Sequence, residues 1–167
     1  MKQFALPLMA MLALGAQAQN DDQAIRSAEE LATAVNTDLA SLNAHFAGQA
    51  RFKLDKRDRL VTEYLSNGTV VRTDVVYIEF LDAAGCVFNA EEGTVMMQCQ
   101  DPRSKCIEKH VQKSGVISPS GRMNLPIPAG DAEGAKARAL LMKLVEDKQS
   151  EELTRLAETN TRERRKN

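Results

Sequence analysis

The chain has 167 residues, a length that holds one domain with a short extension. Its formal net charge of −1 gives no electrostatic basis for binding nucleic acid across the whole surface. Hydrophobic residues make up 43% of the chain, which is enough for a core. Tryptophan is absent and aromatic residues make up only 4%, so carbohydrate-stacking platforms and aromatic ligand cages are poorly supplied.

The first 18 residues carry the pattern of a secretory signal peptide. Lys2 provides a positive start, Phe4–Leu14 is apolar apart from one proline, and Ala16–Ala18 offers small residues to a signal peptidase. Because a bilayer span needs about 20 apolar residues, we expect cleavage rather than a membrane anchor. The mature chain is then expected to begin at Gln19 and, since no cysteine follows the apolar run, to carry no lipid anchor. The short leader favours a bacterial source.

Residues 19–48 have the spacing of an amphipathic helix. Apolar side chains recur in steps of three and four, which places them on one face; they are Ile25, Ala28, Ala32, Val35, Leu39, Leu42 and Phe46. Asp21 or Asp22 is a predicted cap at its start, and Gly48 is a predicted end. Such a face either docks on its own domain, which we favour, or pairs with a second copy in a homodimer.

Short alternating segments with turn residues between them follow, and they predict about seven strands. These cover residues 50–54, 60–65, 69–81, 86–89, 94–100, 105–113 and 123–127. Asn67-Gly68 predicts a hairpin turn because both residues accept positive φ. Ser118–Gly121 predicts another turn, and Pro126 places the last strand at a sheet edge. The third segment puts three apolar side chains on one face: Val76, Ile78 and Phe80.

From residue 131 the spacing again predicts a helix. Asp131 is its expected N-cap, and the apolar stripe consists of Ala137, Leu140, Leu141, Leu144 and Val145. Leu153 and Leu156 can extend this stripe beyond a polar stretch. We expect residues 159–167, which carry four basic side chains, to form a disordered tail.

The order of helix, antiparallel strands and helix predicts an α+β fold, with residues 49–158 as the strand and C-terminal helix domain. A meander of seven strands followed by an amphipathic helix resembles the pleckstrin-homology-like superfold. In that superfold two bent sheets form an open barrel, and the last helix plugs one end. The resemblance covers roughly residues 50–156 and implies a binding role towards peptides, proteins or lipid headgroups. A simpler meander sheet with both helices on one face is the alternative.

The cysteines predict one disulfide. Cys99 and Cys106 flank a turn between two strands that we expect to pair, where facing Cα atoms lie about 4.5–5.5 Å apart and can be bridged. An exported chain also matures in an oxidising compartment. Ile107 and Val111 should face the core together with Cys99, however, which moves Cys106 off the direct line, so that this pairing needs a bulge. Cys86 is expected to be a buried free thiol, with Cys99 or another chain as its alternative partner.

Candidates for other chemistry are few. Cys99, Cys106 and His110 are residue types that bind zinc, but a tetrahedral site needs closer spacing and a fourth ligand, for which Cys86 is the one candidate, so we predict no metal. His45 is expected to complement the dipole at the end of the first helix. No nucleophile–base set and no phosphate-binding loop is recognisable, so no catalytic residue and no cofactor are predicted.

These observations favour an exported, periplasmic or secreted, non-enzymatic module that binds a peptide, a protein or another envelope component. We expect no nucleic-acid partner and no membrane span. One alternative is an enzyme whose site is assembled from scattered Asp, Glu and His side chains. The other is a structural envelope protein that dimerises through the helix of residues 25–46.

Overall fold

The structure, a computed structural model, describes residues 26–164. The predicted leader, the start at Gln19 and the caps Asp21 and Asp22 lie outside the described residues. The described chain is α+β, as predicted, with eight strands rather than about seven. In chain order the elements are α1 (Ala28–His45), β1 (Ala50–Leu54), β2 (Arg59–Ser66), β3 (Thr69–Tyr77), β4 (Val87–Asn89), β5 (Thr94–Gln98), β6 (Ile107–Val111), β7 (Val116–Ser120), β8 (Arg122–Pro126) and α2 (Ala135–Arg164).

The strands form two antiparallel sheets. The larger sheet has the order β1-β2-β3-β6-β7, and the smaller one has the order β4-β5-β8. Within residues 26–164 these sheets do not close into a barrel. The chain leaves the larger sheet after β3, forms the β4–β5 hairpin in the smaller one, and returns for β6. The strand order is therefore a meander interrupted by a hairpin of the second sheet.

The predicted hairpin turn between β2 and β3 is confirmed. Ser66 pairs with Thr69, and the two residues between them, Asn67 and Gly68, have φ of 50° and 77°. Both central residues thus occupy the left-handed region that a two-residue hairpin requires.

β7 is the strand that the sequence did not predict. Residues 118–121 were expected to turn, whereas the chain turns at residues 112–115, with Gly115 at φ 64°. Pro119 lies within β7 opposite Glu108. It is tolerated because β7 is the outermost strand and one of its sides is unpaired. Pro126 follows the same rule in β8, which is an edge strand as predicted.

The third strand is shorter than predicted. It ends at Tyr77, and Ile78–Phe80 forms a 3-10 turn. Because a 3-10 turn repeats every three residues rather than every two, it rotates Phe80 away from the face of Val76 and Ile78. Those two side chains are buried, whereas Phe80 is 51% exposed, so the prediction that all three share one face is wrong.

The two helices pack against each other in opposite directions. Residues late in α1 contact the start of α2, through His45 and Asp131, and the start of α1 contacts the end of α2, through Ala28 and Glu158. The capping box that begins α1 is formed by Ser27 and Glu30. The buried face of α1 lies within the chain, the arrangement we favoured over a dimer seam; it consists of Leu31, Val35, Asp38, Leu39 and Leu42.

α2 is longer than expected. It continues to Arg164, so residues 159–164, which we predicted to be disordered, are helical. The core side of α2 is formed by Ala137, Leu141, Leu144 and Val145. Beyond this stripe Leu153 and Leu156 are 69% and 58% exposed. The second half of the helix therefore presents leucines that residues 26–164 do not cover.

Candidate functional site

The predicted disulfide is confirmed, but it joins different elements from those expected. Cys99 and Cys106 are bonded, with their Cα atoms 6.1 Å apart. Cys99 follows β5 of the smaller sheet and Cys106 precedes β6 of the larger, and these strands do not pair with each other. The prediction of two facing strands is therefore wrong. Because Cys106 lies outside β6, the buried side chain of Ile107 does not fix its position, and no bulge is required.

Cys86 and His110 were considered above as zinc ligands, but within residues 26–164 neither belongs to a cluster of side chains that could bind a metal. Cys86 is free and buried, and burial raises the pKa of its thiol to about 12, which keeps it protonated and unreactive. His110 lies in β6, with its Nε2 atom 3.5 Å from the Glu108 carboxylate. Among residues 26–164, no group of three or more His, Cys, Asp or Glu side chains could hold a metal ion.

A buried polar cluster spans β2 and β3. The Tyr64 hydroxyl donates to Asp74 Oδ2 at 2.9 Å, and Arg72 Nε lies 3.0 Å from Asp74 Oδ1. The Arg72 guanidinium stacks over the Tyr64 ring, 3.6 Å from its centroid, and donates to the Asn124 carbonyl of β8 at 3.1 Å. Burial raises the pKa values of both Asp74 and Tyr64, and Arg72 counteracts this. The cluster connects the two sheets and keeps its carboxylate away from solvent.

A second polar cluster connects the two helices. Lys143 Nζ donates to Asp38 at 2.6 Å and to Asp147 at 2.7 Å, and Arg26 also donates to Asp147. Burial raises the pKa of Asp38 in spite of Lys143. Burial acts on Asp147 too, but the hydrogen bonds from Arg26 and Lys143 hold its pKa below the ordinary value. Since both carboxylates are bound by cations of the chain itself, this cluster fixes how α1 lies on α2.

The pair His45 and Asp131 has the appearance of a catalytic dyad but the contacts of a structural cap. His45 Nε2 lies 2.9 Å from Asp131 Oδ2. Asp131 also accepts hydrogen bonds at 2.9 Å from the backbone N–H groups of Lys136 and Ala137, so it caps α2 as predicted. The hydroxyl of Ser41, one turn before His45, donates to the carbonyl of Thr37 at 2.9 Å rather than to His45.

A shallow concavity of about 580 Å³ lies beside β1, the free edge of the larger sheet. The Asn43 side chain occupies part of that edge. Its amide donates to the Phe52 carbonyl and its carbonyl accepts from the Phe52 N–H, both at 2.8 Å. An incoming strand would have to displace Asn43, so α1 protects the edge from strand addition.

A groove of about 330 Å³ lies between the second half of α2 and the 3-10 turn, and we call it the α2 groove. Its lining residues are Glu79, Gln100, Gln149, Glu152, Leu153 and Leu156. The Gln149 amide donates to the carbonyls of Ile78 and Leu81 at 3.2 and 2.8 Å, which holds the 3-10 turn against the helix. The groove therefore combines two exposed leucines with two carboxylates and two amide side chains.

The α2 groove remains open because of how the neighbouring elements lie. Arg26 and Ala28, at the start of α1, bind Asp147 and Glu158 on another flank of α2, and no α1 residue lines the groove. Across the groove, the 3-10 turn contributes Glu79, whose side chain is exposed. Exposed apolar surface that is contiguous and rimmed by polar groups is typical of a binding surface. Sequence reasoning assigned Leu153 and Leu156 to a buried stripe and so missed the groove.

No helix of residues 26–164 combines the length and hydropathy that a membrane span needs. Comparisons of the chain with protein-family models, with curated proteins and with solved structures found no match. The interpretation of the α2 groove therefore depends on its geometry alone.

Proposed function

We propose that the chain is a non-enzymatic binding module that acts after export, in the periplasm or outside the cell, and that the α2 groove is its binding surface. The observation that carries this proposal is the exposure of Leu153 and Leu156 in the α2 groove. Leaving two large apolar side chains in water forgoes up to about 1.5–3 kcal/mol for each that could be buried. A partner that covers them recovers this free energy.

The three polar clusters support binding over catalysis. An enzyme needs titratable side chains directed at a cavity that substrate can enter. The carboxylates of the described clusters, Asp74, Asp38, Asp147 and Asp131, are instead engaged by the chain's own cations, hydroxyls and backbone N–H groups. Each cluster has a structural role between two elements, and none lines the α2 groove.

Two further features agree with an exported binding module. The Cys99–Cys106 disulfide is of the kind that persists in oxidising compartments, which fits the leader-like residues 1–18. The element order also resembles the pleckstrin-homology-like superfold, which hosts protein and peptide binding, and we retain that resemblance as part of the proposal.

Site-specific photocrosslinking in the native cells tests the function. A photoreactive benzoylphenylalanine replaces Glu79, an exposed residue that lines the α2 groove, and a matched variant carries it at Ile117, which is 62% exposed in β7. We expect the Glu79 position to give a discrete covalent adduct with a polypeptide and the Ile117 position to give none. Equal adducts from both positions, or no adduct at the Glu79 position, would overturn the assignment of the groove as a binding surface.

A further inference from the structure

A concavity of about 400 Å³ lies beside the Cys99–Cys106 disulfide, and we call it the basic cleft. Residues 119–122, Gln98, Pro102 and Lys105 line it. The loop that the disulfide closes contributes Lys105, and the connection from β7 to β8 leads to Arg122. The other lining residues are uncharged, so the cleft is lined by two cations and no carboxylate. A cleft lined by charge of one sign concentrates ions of the opposite sign.

The backbone of the basic cleft is held in place by several contacts. Besides the disulfide, the N–H of Cys99 donates to the Gly121 carbonyl at 2.9 Å. A Cβ atom at Gly121 would lie 2.9 Å from the Ser104 carbonyl oxygen, so the β7–β8 connection lies directly against the loop. The Ser120 hydroxyl donates to the Arg122 carbonyl at 2.7 Å. A ligand therefore has to order only the two long cationic side chains, which lowers the entropic cost of binding.

Both cations of the basic cleft can be reached by a ligand. Lys105 is exposed, and the Arg122 side chain is 55% exposed. The Arg122 guanidinium lies 3.6 Å from the carboxylate of Glu92, which is itself 41% exposed. Because an exposed ion pair of this kind is weak, a doubly charged anion can compete with Glu92 for the guanidinium.

We propose that the basic cleft binds a doubly charged tetrahedral oxyanion, a phosphate or sulfate group. A guanidinium offers a planar fork of N–H groups that fits two oxygen atoms, and an ammonium adds a compact positive charge. Arg122 and Lys105 supply one of each, with no carboxylate in the lining to repel the ligand. The cleft shares no lining residue with the α2 groove, so this site is additional to the proposed binding surface.

An NMR titration of the processed, oxidised chain with inorganic phosphate tests the proposal, at constant pH and ionic strength. We expect saturable shifts of the Lys105, Ser120 and Gly121 amide signals, with a dissociation constant of about 1–10 mM because both cations are exposed. Lys105→Gln and Arg122→Gln should each raise this constant about three- to tenfold. Lys113→Gln, which removes an exposed lysine of the turn between β6 and β7, should leave it unchanged. Circular dichroism establishes that every variant is folded.

Three further probes identify the ligand. Sulfate has the shape and charge of phosphate and should shift the same amide signals, whereas acetate, with a single charge, should bind at least about threefold more weakly. Glycerol phosphate carries the phosphate group on a carbon chain, so its binding at these amides would indicate a phosphate ester, and binding of inorganic phosphate alone would indicate a free anion.

The proposal is overturned if phosphate gives no saturable shift at these amides. It is equally overturned if Lys105→Gln and Arg122→Gln leave the affinity unchanged, or if Lys113→Gln lowers it as much as they do. Crosslinking at the Glu79 position tests the α2 groove separately, because none of these variants alters a residue that lines it.

Discussion

Replacing Asp74 with alanine is expected to lower the free energy of unfolding by about 3–5 kcal/mol. The Asp74 side chain is fully buried, and it receives the Tyr64 hydroxyl while it lies against Arg72. Alanine would leave a buried phenol without an acceptor and a partly buried guanidinium without its counter-charge. Urea unfolding monitored by circular dichroism measures the loss.

Glu63→Ala is the matched control for this variant. Glu63 lies in the same strand as Tyr64 and pairs with Lys53 and Arg51, whose side chains are more than half exposed. Ion pairs of that kind contribute about 0–1 kcal/mol. Equal losses for Asp74→Ala and Glu63→Ala would show that the buried cluster does not stabilise the fold.

Asp74→Asn separates the charge of Asp74 from its hydrogen bond. Burial raises the pKa of Asp74 above 3.8, although Arg72 and Tyr64 oppose this, so the folded chain holds the proton more tightly than the unfolded chain does. The stability that this group contributes therefore decreases as pH rises from 3.8 through the raised pKa. Relative to Asp74→Asn, the natural chain should gain stability as pH falls through that window. A constant difference between the two chains would contradict this account.

Removing the disulfide with Cys99→Ala and Cys106→Ala should lower the free energy of unfolding by about 2.5 kcal/mol. The bond closes a loop with a sequence separation of seven and connects the two sheets where the chain passes between them. Most of the loss comes from the greater freedom of the unfolded chain. The natural chain in reductant should unfold at the same urea concentration as the double variant, and reductant should not affect the variant. Unchanged stability of the natural chain on reduction would contradict the role assigned to the bond.

The parts of the fold that sequence predicted are those that neighbouring residues determine. Alternation located β1, β2 and β5, the Asn67-Gly68 pair located its hairpin, and the apolar stripes located both helices. Each of these signals acts within one turn of helix or two facing residues, so no knowledge of the rest of the chain was needed.

The predictions that were wrong concern features determined by elements far apart in the chain. Pro119 belongs to an edge strand, and whether a strand lies at an edge depends on the whole sheet. The cysteines were placed on paired strands because successive strands usually pair, whereas β5 and β6 lie in different sheets. A local signal did exist for the buried cluster, since Tyr64 and Asp74 have the parity of buried neighbours in their strands.

The α2 groove could not be predicted for the same reason. Leu153 and Leu156 continue the spacing of a buried stripe, and only the position of α1 on the other flank leaves them uncovered. Phe80 is exposed because β3 ends in a 3-10 turn, and the β-branched run before that turn does not predict it. Whether an apolar surface stays exposed depends on the positions of all the elements around it, and a local sequence pattern does not determine those positions.

The claim that this chain acts as an exported, oxidised module is tested most directly by the intact mass of the protein from its native cells. The cells are lysed in denaturant with a thiol-alkylating reagent, so that every free cysteine is labelled. We predict the mass of a chain that begins at Gln19, with one label on Cys86 and a disulfide between Cys99 and Cys106. A chain that begins at Met1 and carries three labels would contradict the proposal.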